Sequence, residues 1–197
     1  MEPGIHALKK VEEKLRTLAP ISDNELDVFC KNLVFKSFEK GEFLCLEGQV
    51  ENYIFFILRG ATRNYFSKDG KEFTVGFHFE NEFVSAYYSL ITREPSPFSI
   101  EVIDPVQAFV VPQKFLSSFY DQYKSGERIG RLIAEKQYIQ RIRREMDLLS
   151  LTAEQRYTNL VKQNPTLVQS ISVKHLSSFL GIQPESLSRI RKQYSRN

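Results

Sequence analysis

Apolar residues along this chain change period twice, and the changes divide it into stretches of different structure. From Gly4 to Leu18, the residues Ile5, Leu8, Val11, Leu15 and Leu18 recur at intervals of three and four, which predicts an amphipathic helix. A second, short helix is predicted after Ser22, an N-cap followed by Asp23 and Glu25, with Leu26, Phe29 and Cys30 on its inner face. From Leu33 to Val111 the chain turns to Phe, Val, Ile, Tyr and Thr punctuated by Gly41, Gly48, Gly60 and Gly70, the pattern of short strands. Asp69-Gly70 between Tyr65-Phe66 and Phe73-Val75 predicts a hairpin, and Pro105 and Pro112 bracket the last predicted strand. Strands spaced in this way suit a Greek-key barrel or jelly roll.

The helical period then returns. A short helix is predicted over Gln113–Tyr123 and a long one over Glu127–Leu151, with Ile129, Leu132, Ile133, Ile139, Ile142, Met146 and Leu149 at helical intervals. At 1.5 Å per residue the long helix reaches about 37 Å, more than a barrel of this size covers. Its stripe therefore needs another partner, and the same helix of a second copy is the simplest one. Ile129, Leu132, Ile139, Ile142 and Met146 form the expected dimer seam, interrupted by Lys136 and Arg143. The competing expectation is a helix packed wholly on its own barrel.

The last stretch, Ser172 to Lys192, reads as two short helices joined by a tight turn. Ser172 caps the first, and Val173, Leu176 and Leu180 share a face. Small Ser177 suits a close crossing, Gly181 suits the positive φ that ends a helix, Ile182 plugs the turn, and Pro184 suits the first position of the next helix. With Leu187 and Ile190 turned inward, Glu185, Ser186, Ser188, Arg189 and Lys192 point outward with chemistry suited to base edges and phosphates. A helix-turn-helix fits this register; an ordinary helical hairpin packed on a core is the alternative.

Charge sharpens the choice. Residues 124–197 hold 14 basic and 6 acidic side chains, net +8, whereas residues 1–123 carry net −5. Positive potential confined to the segment with the helix pair is the footprint of a nucleic-acid-binding unit. Composition narrows the rest. The longest strongly apolar run, Tyr53–Leu58, is too short to span a bilayer, and Met1-Glu-Pro-Gly-Ile-His lacks the pattern of a signal peptide, so a cytoplasmic protein without membrane partners is expected. Cys30 and Cys45 form no metal or disulfide motif and read as buried thiols. The histidines, His6, His78 and His175, are too scattered for a metal cluster. His78 in the barrel reads as a hydrogen-bonded structural group rather than a haem ligand, and His175 as an exposed or phosphate-adjacent one. No nucleophile elbow, phosphate loop or His-Glu-x-x-His motif occurs, so neither an enzyme nor a metal or other cofactor is expected.

Barrel, long helix and helix-turn-helix in this order resemble the Crp/Fnr family of bacterial transcription regulators over nearly the whole chain. The resemblance rests on Lys40-Gly41-Glu42, Glu47-Gly48, Tyr53–Gly60, Asn81-Glu82-Phe83 and, most specifically, Gly181–Arg189. It implies an α+β chain: a jelly-roll sensor of the cyclic-nucleotide-binding type at 1–123, a dimerisation helix at 124–151 and a DNA-binding domain at 152–197. It further implies a homodimer on a pseudo-palindromic operator, with duplex DNA, a second copy and RNA polymerase as partners. Glu185 and Arg189 match family residues that contact base edges, with Ser186 and Ser188 as weaker contacts. The hairpin wing of longer members is not expected before Asn197, so phosphate contacts fall to Lys174, Arg191, Lys192 and Arg196.

The same resemblance puts the effector in question. Members that bind cyclic nucleotide carry a Gly-Glu pair for the ribose and, further along, an Arg-Ser pair for the phosphate. Ser85-Ala86 and Ser96-Pro97 stand at those positions here, so every charged partner is missing. Arg93 is the one nearby cation, flanked by Glu94 and suited also to plain solvation. Cyclic AMP is therefore not expected in the usual mode, and the barrel is expected to take another ligand or none. A ligand-free protein-interaction module is the alternative function.

Overall fold

The computed structural model describes residues 5–194. The chain divides into two compact units, one of residues up to Phe66 with Gly76–Glu135, the other of Ser67–Val75 with the residues from Lys136 onward. This grouping differs from the contiguous one expected, because a hairpin tip from the strand region belongs with the C-terminal helices and the long helix runs from one unit into the other.

In the first unit α1 (Ile5–Leu18) and α2 (Asp23–Lys31) precede six strands. These are β1 (Val34–Phe38), β2 (Phe43–Cys45), β3 (Tyr53–Lys68), β4 (Lys71–His78), β5 (Phe83–Val84) and β6 (Ser99–Pro112), with a short α3 (Tyr87–Thr92) between the last two. Next come α4 (Gln113–Gln122) and α5 (Lys124–Ser150). The sheet runs β1-β6-β3-β4, with β2 also paired to β6 and β5 to β3. Ser22 caps α2 in a reciprocal box with Glu25.

Period-two alternation in β3 and β6 explains why Tyr53–Leu58 is apolar throughout: both sheet faces are covered. Phe56, Leu58, Phe109 and Val111 meet Val11, Leu15, Phe29, Phe119 and Ile129 of the helices, while Phe55, Ile57, Ile100, Val102 and Val110 build a second core with Leu44 and Val84. Pro105 does not bracket the last strand as expected but lies inside β6. The β3–β6 register shifts around Gly60, which accommodates it. Gly60 has φ +94°, and a Cβ there would stand 2.1 Å from the Pro105 carbonyl oxygen. A side chain is excluded.

The second unit holds the β3–β4 tip, the C-terminal part of α5, α6 (Ala153–Gln163), α7 (Pro165–Ser170), α8 (Val173–Leu180) and α9 (Pro184–Tyr194). Asp69 and Gly70 both take positive φ, as the two-residue hairpin turn requires. Thr152 caps α6 in a second reciprocal box, with Gln155.

Candidate nucleic-acid interface

Each local signal in the helix pair has a structural outcome. The Ser172 hydroxyl accepts from the His175 N–H at 3.2 Å, Gly181 takes φ +68°, and Pro184 opens α9. Leu176, Ser177 and Leu180 of α8 are buried, as are Leu187 and Ile190 of α9, while Val173 stays partly in solvent. Arg156 fastens the arrangement by donating from Nε to the Leu180 carbonyl at 3.1 Å and from Nη1 to the Leu151 carbonyl at 2.6 Å.

Opposite the buried side of α9, Glu185, Ser188, Arg189 and Lys192 are exposed, at positions that recur every three or four residues and so form one stripe. Ser186 is half-buried at its flank, and the Ser188 hydroxyl is engaged by the Pro184 carbonyl at 3.1 Å. Glu185 and Arg189 are thus the outward groups with unequal charge, one an acceptor and one a forked donor. Arg191 turns the other way, and its Nη2 donates to the Val168 carbonyl at 3.0 Å. Lys174 is exposed on α8 with its Nζ 3.5 Å from a Glu72 carboxylate oxygen. Arg196 lies outside the described residues.

No local sequence signal announces how the hairpin tip joins this unit. Ser178 Oγ accepts from the Thr74 N–H and donates to the Glu72 carbonyl, both at 2.9 Å, so one hydroxyl pairs with a strand edge. Arg144 Nη2 donates to the Thr74 carbonyl at 3.1 Å and the Phe179 carbonyl at 2.8 Å, with its guanidinium over the Phe179 ring. Burial, then the nearby Arg141 and Arg156 charges, lower the Arg144 pKa. Arg144 and Arg156, which enter the positive count of residues 124–197, and Arg191, expected at a phosphate, are each engaged with backbone carbonyls as braces. The long-helix residues also separate: Ile129 and Leu132 pack in the first unit's own core, whereas Ile139, Ile142, Met146 and Leu149 are exposed.

In the barrel, the candidate effector residues gather on the loop before β3. Ser85 Oγ donates to the Tyr53 carbonyl at 2.9 Å, and Arg93 donates to the Glu51 carbonyl at 2.8 Å and the Asn52 side chain at 2.6 Å. Ser96 exchanges backbone hydrogen bonds with Gly48 and Gln49 at 2.8 Å. Ala86 is buried, Pro97 exposed. Sequence reading passed over Glu51, whose carboxylate is buried among backbone N–H groups behind Ala86. No residue of the set presents an uncommitted carboxylate and guanidinium for a cyclic phosphate. His78 lies 3.3 Å from the Asn64 amide and 3.7 Å from the Glu82 carboxylate. Burial pushes the Cys30 thiol up to about 11 and the Cys45 thiol up to about 12, so neither is primed for reaction. Among the described residues no cluster of His, Cys, Asp and Glu could hold a metal, and no helix is long and apolar enough to cross a membrane.

Residues 35–123 match the cyclic nucleotide-binding domain family. The chain as a whole is Crp/Fnr-like in fold. FixK2 from Bradyrhizobium japonicum superposes with a TM-score of 0.71 at 19% identity, over 83% of this chain and 85% of that one. The c-di-GMP-responsive global regulator CLP of Xanthomonas campestris gives 0.70 at 13% identity, over 89% and 92%. A protein from Eubacterium rectale assigned to the Crp/Fnr transcriptional regulators gives 0.71 at 12%, over 89% and 84%. By sequence, no curated protein matches.

Proposed function

We propose that the chain is a bacterial, cytoplasmic, DNA-binding transcription regulator without enzymatic activity. Two copies pair through the exposed face of α5, and each lays α9 in the major groove of one half of a pseudo-palindromic operator. The observation that carries this reading is the stripe of Glu185, Ser188, Arg189 and Lys192 standing over a back of buried Leu187 and Ile190. Glu185 accepts from a cytosine amino group and Arg189 forks onto guanine, each worth about 1–3 kcal/mol of discrimination. Ser186 adds a flanking contact. Lys192 and Lys174 hold phosphates, and RNA polymerase is the protein partner at the promoter. The barrel does not take cyclic AMP in the family's usual way.

A second reading, a protein-interaction module, draws on the exposed Tyr87, Tyr88 and Ile91 of α3. Electrophoretic mobility against genomic fragments separates the two. The regulator should shift discrete fragments with an affinity that falls steeply with salt, and Arg189→Ala should weaken binding and relax selection at the base pair it reads while the dimer persists. Failure of the wild-type chain to shift any fragment would leave the interaction module standing.

A further inference from the structure

The buried carboxylate behind Ala86 is the feature of the barrel that the regulator reading leaves unused. Glu51 is 3% exposed. Its Oε1 accepts from the Asn52 N–H at 2.9 Å and the Tyr53 N–H at 3.0 Å, and its Oε2 from the Ala86 N–H at 3.4 Å. Its own backbone is held as well: the N–H donates to Ser89 Oγ at 2.9 Å, and the carbonyl receives Arg93 Nη1. Both carboxylate oxygens serve only as acceptors, which suits an ionised group, and they join the loop before β3 to the segment that begins at Ser85.

We propose that Glu51 is the built-in anion of this barrel. Its carboxylate takes the donors that an external ligand would need, and with Arg93 and Ser89 it sets segment 85–97 in one conformation without any small molecule. The inference rests on the reading of the barrel as one that holds no cyclic nucleotide, and goes beyond it by saying what stands in the ligand's stead. Arg93 follows as a positioning residue. It braces the carbonyl and the neighbour of the residue that supplies the charge, rather than facing a ligand itself. An acceptor-only side chain among converging N–H groups has no apolar substitute, because removing it strands the donors in a dry site.

Amide hydrogen exchange of the full-length protein tests this, with Glu51→Ala and Glu51→Gln beside the wild type. Glu51→Ala should speed exchange across 84–94 about tenfold, while the β1–β6 ladder keeps its protection. Formate in excess should restore most of that protection by re-entering the vacated space, and chloride at equal ionic strength should not. Should Glu51→Ala fail to fold, Glu51→Gln carries the test, since it keeps the shape and should loosen the same segment alone. Cyclic AMP and inorganic phosphate should leave wild-type exchange in 84–94 unchanged. Wild-type protection in either variant that folds, loss spread evenly over the whole barrel, or equal rescue by chloride would each overturn the assignment. Protection of the wild type by cyclic AMP would instead overturn the ligand reading on which it rests. DNA binding does not enter these readouts, so the regulator reading stands or falls separately.

Discussion

Arg189 and Arg191 lie two positions apart on α9 and therefore face opposite ways, one into solvent and one onto the Val168 carbonyl. Alanine at 189 should relax DNA selection at one base pair of each half-site and leave stability unchanged. Alanine at 191 strands a buried carbonyl and should lower stability by about 1–3 kcal/mol, read as a shift of the urea midpoint. Equal effects of the two variants on the midpoint would contradict the assignment. Glu51 allows a pH test. Burial pushes its carboxyl above the ordinary range, against the pull of the Tyr53, Ala86 and Asn52 N–H groups. A carboxyl whose pKa rises on folding holds its proton more tightly in the native chain. Its contribution is fully present below the unfolded pKa and is lost as pH rises through the folded one. Relative to Glu51→Gln, the wild type should therefore lose stability as pH climbs above the ordinary carboxyl range of about 4 and through the raised native pKa. A gap that widens in favour of the wild type as pH rises would contradict this.

At the scale of elements, the helix pair was legible because its signals are local: a cap at Ser172, a turn glycine at Gly181, and apolar spacing in between. The Asp69-Gly70 hairpin and the capping of α2 were legible for the same reason. Short α3 and the α6–α7 pair escaped prediction, since α3 is a single turn and a half beside strand-like sequence and α7 makes no side-chain cap. Contacts distant in sequence were out of reach. Ser178 and Thr74 are 104 positions apart, and nothing in either one's neighbourhood announces the other. The missed role of Arg144, Arg156 and Arg191 has the same origin, because a guanidinium reads as surface charge until its carbonyl partner is known. Glu51 was passed over because its partners are backbone N–H groups, which every sequence has. The Ser178 link makes its own prediction. Ser178→Ala should destabilise by about 1–2 kcal/mol and expose the Thr74 amide to exchange, with α9 still buried through Leu187. An unchanged Thr74 amide would show that the hydroxyl does not hold the strand edge.

For the whole molecule, pairing and charge decide the outcome. Ile129 and Leu132 are spent on the first unit's own core, so the seam expected from the sequence contracts to Ile139, Ile142 and Met146, the last 61% exposed. Replacing both Ile142 and Met146 with Glu should halve the mass seen by sedimentation and, by separating the two recognition helices, weaken DNA binding far more than it alters thermal stability. A dimer that survives the double change would place pairing elsewhere. The positive field is narrower than the count suggests, since Arg144, Arg156 and Arg191 brace the fold, and α8 and α9 add Lys174, Arg189 and Lys192 on their exposed sides. The measurement that bears most directly on the account is sequencing of duplexes retained by the wild-type protein from a random pool. Two-fold related half-sites with centres about 34 Å apart, each losing definition at one base pair in Arg189→Ala, are predicted. A lone, unpaired motif, or a retained pool indistinguishable from the input, would contradict it.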